Sequence, residues 1–388
     1  MANTLEIDFM FEIAFNKTLP DFYYKAFQIS DENILLISEP KKKLTRLNKV
    51  HLIYDVPSYL KVTKKNFVPL LGFKSVQQHK GYYIDLNDYN TVESYLEGRF
   101  SKSSRQLLRA GKKRIETCFD ISYKMYHGAI PKELYNKLFK QFYDMLKLRA
   151  KEKGITNRNL KHWSLYTSKV YDMILNKQAS LFVIYDGDEA INISLNMHVK
   201  NTVFLFITTY NIDYSKFRLG HTNWMMQIDW FIKNNIKTVD FSKGNIAYKK
   251  RWANNEYDFE YHLFYNKSNF LATLKSNWLL KKLQLKQTLR NLNINTYYYN
   301  FLAKLQGGNK FSKKTDYQLS ALNLLPESET IAPILFRSNP DFLYLKRIIY
   351  TYLYLSSLHV NDLEVYKDLQ NGNIYYFKSP KEILKLIL

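Results

Sequence analysis

Two arginines are spaced so that they could bind a single anion. Arg105 and Arg109 are four residues apart in a segment whose apolar residues recur at helical spacing, and such side chains lie on one face of a helix. The planar guanidinium group binds phosphate or carboxylate through two hydrogen bonds. No acidic residue occurs between Gly98 and Ile115. The spacing therefore predicts a substrate-binding pair for an anionic group, with a solvated basic helix face as the alternative.

Other catalytic and metal-binding patterns do not occur in the sequence. Its eight histidines show neither His-x-x-x-His nor Glu-x-x-His spacing, and no serine nucleophile elbow, Walker loop or dinucleotide-binding glycine motif is found. The one cysteine, Cys118, excludes an intrachain disulfide and a cysteine-based zinc or iron–sulfur site. We therefore expect no metal, and a reducing compartment.

The chain carries a large excess of positive charge. Its 388 residues include 57 Lys and Arg against 35 Asp and Glu, a formal net charge of +22. Part of this excess is compositional background, because lysine accompanies abundant Asn, Ile, Tyr and Phe. The distribution is more informative: no acidic residue occurs between Tyr261 and Thr315. This region is expected to face an anionic partner.

The length predicts two or three domains. We divide the chain into an N-terminal α/β half (1–98), a second α/β unit (99–266) and a basic, mainly helical C-terminal region (267–388). The sequence shows no export signal and no apolar stretch long enough to cross a membrane. These features predict a cytoplasmic protein without a transmembrane segment.

The second unit has an informative order of predicted elements. In chain order these are a helix over 92–117 broken near 101–104, a strand at 119–125, helices at 131–151 and 163–176, three strands within 181–210, a helix over 220–234 and a strand at 238–241. The pattern predicts an α/β (α+β) fold with a mixed, mostly antiparallel sheet flanked by helices.

This order resembles the GNAT acyltransferase fold, and more closely the group related to FemAB peptidyltransferases and to the CelD-like proteins of cellulose synthesis operons. The resemblance covers about Gly81 to Tyr265. It rests on the stretches YYIDLNDYNTVESYLEGRFSKSSRQLLRAGKK and TTYNIDYSKFRLGHTNWMMQIDWFIKNNIKTVDFSKGNIAYKKRW. Members of the group show an Arg-rich helix, a Leu-Gly or Pro-Gly turn before a helix, and a D-F-x-x-G turn followed by Tyr-Lys. The resemblance implies two GNAT-like halves, with acetyl-coenzyme A or another acyl-coenzyme A as co-substrate.

The segment before the 220–234 helix corresponds to the loop with which GNAT enzymes bind the pyrophosphate of acyl-coenzyme A. The resemblance implies this role for Arg218, Leu219, Gly220, His221 and Thr222. Gly220 permits close approach of the backbone, and Arg218 can add a charge-assisted contact. The loop departs from the family pattern in having one glycine, with His221 where a small residue is expected. His221 is also a candidate base, with a simply exposed loop histidine as the alternative.

The turn from Asp240 to Lys249 is the second segment to which the resemblance assigns chemistry. Lys249 would stabilise the oxyanion that develops when an amine attacks the acyl carbonyl. Tyr248 would donate or relay a proton to the leaving thiol or hydroxyl, and Asp240 would order the turn rather than act as a base. The alternative is that Asp240 caps the strand and that Lys249 is one more solvated lysine.

The predicted function is N- or O-acyl transfer from acyl-coenzyme A to a small acceptor by direct attack in a ternary complex. An anionic or cell-envelope-related amine or hydroxyl compound would suit the basic surface. One alternative is a FemAB-like enzyme that takes its acyl group from aminoacyl-tRNA, although no helical arm for tRNA is evident. Another is a non-catalytic GNAT fold that binds an anionic membrane or nucleic acid.

The C-terminal region begins with a predicted basic amphipathic helix. Its apolar positions are Leu271, Leu274, Trp278, Leu285 and Leu289. This face could lie on an anionic membrane surface. Packing against the preceding domain is the commoner use of such a face, and is the expectation here.

Overall fold

A nine-stranded sheet is the framework on which the other elements are placed. The structure is a computed structural model, and it describes residues 4–28, 34–37, 49–64, 70–244, 246–292 and 317–388. The strands in these ranges are β1 (Thr4–Asp8), β2 (Tyr23–Gln28), β3 (Ile34–Ile37), β4 (Val50–Pro57), β5 (Leu60–Lys64), β6 (Leu71–Asp85), β7 (Ile121–Tyr126), β8 (Ala179–Asp186), β9 (Glu189–Val199), β10 (Thr202–Tyr210), β11 (Thr238–Lys243), β12 (Asn255–Asn266), β13 (Gln318–Leu322), β14 (Ile331–Pro333), β15 (Glu364–Asp368), β16 (Ile374–Lys378) and β17 (Ile383–Ile387).

Helices cover both faces of this sheet. The α-helices in the described ranges are α1 (Phe9–Phe11), α2 (Val92–Arg99), α3 (Lys102–Cys118), α4 (Lys132–Glu152), α5 (Trp163–Leu175), α6 (Leu219–Lys233), α7 (Ala247–Trp252), α8 (Phe270–Asn291) and α9 (Lys346–Ser356). A π-helical turn (Glu12–Asn16) continues α1, and short 3-10 helices precede α5, α6 and α9. None of the described helices combines the length and the apolar character needed to cross a membrane.

The strand order confirms the mixed, mostly antiparallel sheet expected from the sequence. It runs β1-β4-β12-β6-β11-β10-β9-β8-β7, and its parallel pairs are β1 with β4 and β10 with β11. Strand β12 lies between β4 and β6, so strands from both sides of residue 98 alternate in one sheet. The sheet is therefore continuous across the proposed boundary between the two α/β units.

The two faces of the sheet bury different sets of helices. On one face α4 and α5 pack with the α1 turn, around Phe142, Val170 and Phe15. On the other face α2, α3 and α6 pack around Trp252 and Val239. Hence α6 lies on the opposite side of the sheet from α4, and both sides can contribute groups to a site at a gap between strands.

Local capping explains the break that the sequence predicts near residues 101–104. Helix α2 begins after Thr91, whose side chain accepts a hydrogen bond from the Ser94 backbone N–H in a capping box. It ends at Arg99. Helix α3 begins immediately afterwards because Ser101 caps it, accepting from the backbone N–H of Ser104 at 3.3 Å. The basic face of α3 is thereby set at an angle to α2.

The C-terminal region contains more sheet than the sequence predicts. Helix α9 and strand β16 match the predicted helix over 344–358 and strand over 373–377, but β13-β17-β16-β15-β14 also form a five-stranded sheet. These strands have only three to five residues. Strands of this length show no clear alternation of apolar and polar residues in the sequence. They are stabilised by pairing with strands distant in the chain, for example where Gln318 lies opposite Ile387. The loop predicted at 306–314 lies outside the described residues.

Candidate functional site

A cavity opens where two parallel strands separate. Backbone pairing between β10 and β11 stops after Phe204 and Asp240, although β10 continues to Tyr210 and β11 to Lys243. Beside this separation is a cavity of about 440 Å³. Its lining residues are Arg149, Thr208, Tyr210, Ser215, Arg218, Leu219, Gly220, His221, Trp224 and Tyr248. The volume lies in the range typical of small-molecule sites.

The start of helix α6 forms one wall of the cavity. Arg218 precedes the helix in the left-handed conformation (φ 52°, ψ 40°), and no side chain caps the helix. The first backbone N–H groups of an α-helix have no partner within the helix, and the helix dipole adds positive potential there. Since α6 has 15 residues, its N-terminus can bind a phosphate group. The side chain of Arg218 is exposed at the same wall.

Gly220 faces open space. A Cβ atom built on this residue would meet no protein atom within 4 Å, so the backbone is accessible to a ligand there. The side chains of Leu219 and Thr222 are buried, and any contribution of these two residues to binding comes from their backbone. Residues 218–221 thus line the cavity while Thr222 does not, and the binding role of the segment stays a prediction.

His221 lines the cavity with one ring nitrogen already occupied. Trp252 Nε1 donates a hydrogen bond to His221 Nδ1 at 3.1 Å, and because indole N–H is only a donor, the proton of the neutral ring is on Nε2. Burial, followed by the positive charges of Arg251 and Arg218, lowers the pKa of His221 below its ordinary value. His221 is thus a neutral ring with an occupied Nδ1, which argues against its use as a base through that nitrogen.

Tyr248 is a lining residue of the cavity. It lies in the first turn of α7 and its ring stacks on Trp224, with centroids 6.2 Å apart and planes at 9°. Burial raises the pKa of Tyr248 above its ordinary value, although Arg149 opposes the shift. The phenol therefore stays protonated at neutral pH and can act as a proton donor.

Lys249 and Asp240 lie beneath this wall and do not line the cavity. The buried ammonium group of Lys249 donates to the carbonyl oxygen of Lys243 at 2.6 Å. Burial lowers the pKa of Lys249 to about 8, with Asp240 opposing the shift. These contacts hold the turn that ends β11, and they direct the Lys249 amine away from a substrate in the cavity.

Asp240 is fully buried in a cluster of hydroxyl groups. It accepts hydrogen bonds from Tyr59 at 2.7 Å, from Tyr257 at 2.8 Å and from the Ser242 backbone N–H at 2.6 Å. Burial raises the pKa of Asp240, and these hydrogen bonds oppose the shift. Its partners are the turn and the neighbouring strands, an arrangement that fits the ordering role expected for Asp240.

Arg105 and Arg109 are not brought to this cavity. Arg105 Nη1 donates to the carbonyl oxygen of Phe100 at 2.8 Å, and Arg109 forms an ion pair with Glu93 on α2. Arg109 lines a separate cavity together with Lys112 and Lys113. Both guanidinium groups already have partners within the protein. Their proposed binding of an anionic substrate stays a prediction.

Arg149 is a residue of the site that the sequence analysis missed. It lies in the last turn of α4, on the far side of the sheet, and its guanidinium carbon is 4.2 Å from the centre of the Tyr210 ring. Only tertiary packing brings it to the cavity. One signal was available: arginine is scarce among the 57 basic residues, and it is the better marker of a phosphate contact.

Comparison with known proteins agrees with this geometry. Residues 102–250 match the family model described as "Acetyltransferase (GNAT) domain". This chain contains a GNAT acetyltransferase domain. The match runs from α3 into α7 and includes every residue that lines the cavity, and it supports an acyltransferase enzyme. No curated protein matches the chain.

Several solved structures match part of this chain at low similarity. FemX is 12% identical to this chain, and the match covers 58% of this chain and 74% of FemX, with a TM-score of 0.41. The C-terminal domain of a putative lysylphosphatidylglycerol synthetase from Agrobacterium fabrum is 12% identical, covering 60% and 73%, with a TM-score of 0.40. L-PGS from Bacillus licheniformis is 14% identical, covering 61% and 73%, with a TM-score of 0.37. Likenesses at this level carry no argument about the donor or the acceptor.

The described residues include no group of three or more His, Cys, Asp or Glu side chains placed to hold a metal ion. The cavity is instead lined by aromatic rings, arginines and main-chain N–H groups. Such a lining suits an organic ligand with phosphate groups.

Proposed function

We propose that the protein transfers an acyl group from acyl-coenzyme A to an amine or hydroxyl group of a small acceptor. The observation that carries this proposal is the cavity between β10 and β11, in which an uncapped helix N-terminus, two arginines and a phenol meet. The first two features suit the pyrophosphate of coenzyme A. The phenol suits the departure of a thiol.

In this proposal each feature has a defined task. The main-chain N–H groups of α6 and the guanidinium group of Arg218 bind phosphate oxygens, and Arg149 adds positive charge from the opposite side of the sheet. The acceptor nitrogen or oxygen bonds to the thioester carbonyl carbon, and the C–S bond breaks. Tyr248 gives its proton to the departing sulfur, while the proton released by the acceptor passes to solvent.

The positions of Lys249 and Asp240 support positioning roles in the proposed reaction. Lys249 holds the turn from which α7 begins, and Tyr248 is the preceding residue. Displacement of this turn would move the phenol relative to the sulfur atom. We therefore propose that Lys249 acts through Tyr248 instead of contacting the oxyanion.

We further propose that the chain belongs to the FemAB-related and CelD-like group. The Arg-rich helix α3 and the D-F-x-x-G turn followed by Tyr-Lys support this placement. Aminoacyl-tRNA is then the second donor to consider.

The proposal is tested by binding and turnover with acetyl-coenzyme A. Calorimetry should show binding that weakens about tenfold in Arg218→Ala, the loss expected for one charge-assisted contact. Lys216→Ala is the matched control, because Lys216 is an exposed cation two residues away that does not line the cavity. Thiol release should depend on an added amine or hydroxyl acceptor.

Two results would contradict the proposed donor. One is the absence of any acyl-coenzyme A binding by the folded protein. The other is equal weakening in both variants, which would indicate a general charge effect. Thiol-independent transfer from aminoacyl-tRNA, with binding that weakens steeply as salt rises, would establish the second donor instead.

A further inference from the structure

Helix α8 has two apolar faces on opposite sides. One face is buried: Ala272, Leu279 and Leu283 pack against strand residues that include Val50 and Leu263. This face attaches the helix to the sheet. It is not the face that the sequence analysis expected to be buried.

The five positions singled out in the sequence are the exposed ones. Together with Leu292 they form a row along the outer side of α8, each between 37% and 60% exposed. The row consists of Leu271, Leu274, Trp278, Leu285, Leu289 and Leu292. At 3.6 residues per turn these positions fall within an arc of about 60°, directed away from the buried face. We call this set the outer row.

Positive side chains border the outer row on both sides. Lys275 and Lys282 place their ammonium groups 4.5 and 5.0 Å from the centre of the Trp278 ring. Lys281 and Lys286 are exposed, with Lys281 on the other side of the row. Helix α8 contains no acidic residue. A contiguous apolar strip edged with cations and free of acidic groups is therefore presented to the surroundings.

The chemistry of this surface selects one kind of partner. A symmetric second copy would bring two lysine-edged faces together, and like charges oppose that contact. Nucleic acid would form ionic contacts with the lysines but offers no apolar surface for the five leucines, because its bases stack on aromatic rings and its backbone binds charged groups. A bilayer with anionic lipids provides apolar chains for the row and phosphates for the lysines.

We propose that α8 is an interfacial helix that docks the protein on a membrane containing anionic phospholipids. The outer row lies at the boundary between headgroups and acyl chains, with Trp278 at headgroup depth. The four lysines extend to the lipid phosphates. Docking of this kind is independent of the donor used by the catalytic domain.

Sedimentation with sucrose-loaded vesicles tests the docking. The full-length protein should bind vesicles of phosphatidylcholine with phosphatidylglycerol, and should bind vesicles of phosphatidylcholine alone much more weakly. The variant Leu274→Ser/Trp278→Ser/Leu285→Ser should lose at least about tenfold in partition coefficient, because it removes buried apolar area. Leu324→Ser/Leu335→Ser/Leu355→Ser is the matched control, since these leucines are exposed outside α8.

A second pair of variants tests the lysines, and each of the two lowers the formal net charge by four. Lys275→Glu/Lys282→Glu should also lose at least about tenfold in binding to the anionic vesicles. Lys137→Glu/Lys140→Glu, at exposed positions on α4, should lose much less. Thiol release from acetyl-coenzyme A in solution should be the same in all four variants.

Several outcomes would overturn the proposal. Vesicle binding that is absent at low salt would do so, as would equal losses in the α8 variants and their controls. A fall in Tm confined to the serine variant of α8 would show that the outer row is packed within the folded protein. A dimer that only the α8 variants dissociate, or nucleic-acid binding without vesicle binding, would assign the surface to another partner.

Discussion

At the scale of single residues, Tyr248 and His221 differ in their protonation and in their hydrogen-bond partners. Tyr248 has a hydroxyl at the cavity and a raised pKa. His221 is held neutral by burial, with Nδ1 occupied by the Trp252 indole. We propose separate tasks for these two residues of one cavity: Tyr248 protonates a leaving group, and His221 donates a hydrogen bond to a ligand.

We expect Tyr248→Phe to lower kcat by about 10²-fold, the lower end of the range for a lost general acid. The stacking on Trp224 is retained, so KM for the acyl donor should change little. Because the acid must be protonated, activity that depends on it is lost as pH rises through the raised pKa of Tyr248, and the variant should lack this alkaline decline. Steady-state kcat over a pH series provides the measurement.

The control for this variant is Tyr24→Phe, which removes an exposed hydroxyl in strand β2. Its kcat should equal that of the unmodified protein. An unchanged kcat in Tyr248→Phe would remove the phenol from the mechanism.

Lys249 leads to a prediction about stability and pH. Its pKa is lowered by burial to about 8, whereas in the unfolded chain it keeps the ordinary lysine value. Between these two values the unfolded state binds more protons than the folded state, so this residue makes the free energy of unfolding rise with pH. In Lys249→Met this contribution should be absent, and the stability of the unmodified protein relative to the variant should increase from pH 8 to pH 10. Urea unfolding at a series of pH values measures the difference.

Burial also lowers the pKa of Lys17 to about 8. Both proteins in the comparison retain Lys17, so its contribution cancels. A relative stability that does not change with pH would mean that the Lys249 amine is solvated.

At the scale of elements, the N-terminus of helix α6 forms one wall of the cavity. The crossover from β10 through α6 to β11 places the helix N-terminus beside the gap between those two strands. In the proposed function main-chain N–H groups bind the phosphate, so few particular side chains are needed there. This explains how a loop with one glycine can still form the site.

Gly220→Ala separates binding from stability. Alanine has the higher helix propensity, so the free energy of unfolding should stay the same or rise by up to about 1 kcal/mol. The new methyl group would project into space open to the ligand, and affinity for coenzyme A should fall. Calorimetry and thermal unfolding measure the two effects.

Gly111→Ala is the matched control, because Gly111 lies within α3 and a Cβ there also meets nothing within 4 Å. It should show the same change in stability with unaltered affinity. Equal affinity in both variants would mean that no ligand approaches Gly220.

At the scale of the whole molecule, the C-terminal region packs against the segment that leads into α6. Tyr214, Phe217 and Leu219, in the segment that leads into α6, share a core with α9 and the C-terminal sheet. Arg337 donates to the buried carboxylate of Asp186 at 2.7 Å, and Tyr214 donates to the same oxygen at 2.7 Å. The position of the helix N-terminus thus depends on residues more than 100 positions away.

Arg337→Met should destabilise the protein by about 2 kcal/mol. Removing one partner leaves a buried charge uncompensated, which costs about 3–5 kcal/mol for a fully buried pair, and Arg337 is partly exposed. Affinity for coenzyme A should fall as well, because Asp186, which accepts a hydrogen bond from Tyr214, is no longer held by Arg337. Urea unfolding and calorimetry measure these changes.

The double variant Arg337→Met/Asp186→Asn is the control. It removes the uncompensated charge and should recover part of the lost stability, as a double-mutant cycle requires for coupled residues. Equal stability of Arg337→Met and the unmodified protein would show that this pair does not attach the C-terminal region.

Local patterns in the sequence determined many of the helices and strands. Helical spacing determined α3, α4 and α6, with a serine cap at the start of α3. The β-branched and aromatic runs determined β8 to β10, and the turn before α6 was located by Gly220. These features depend on neighbours within a few residues, so they can be recognised in the sequence. The order of the elements was enough to predict the GNAT fold.

Only the tertiary structure decided which side chains meet. Arg149 reaches the cavity from the other face of the sheet, Lys249 turns towards its own strand end, and the lysine-edged row on α8 points outwards although its spacing suggested burial. The physical reason is that helical periodicity gives the relative angles of side chains around an axis but not which side faces the core. That choice is made by contacts between segments distant in the chain, and these contacts place the site and the proposed membrane surface.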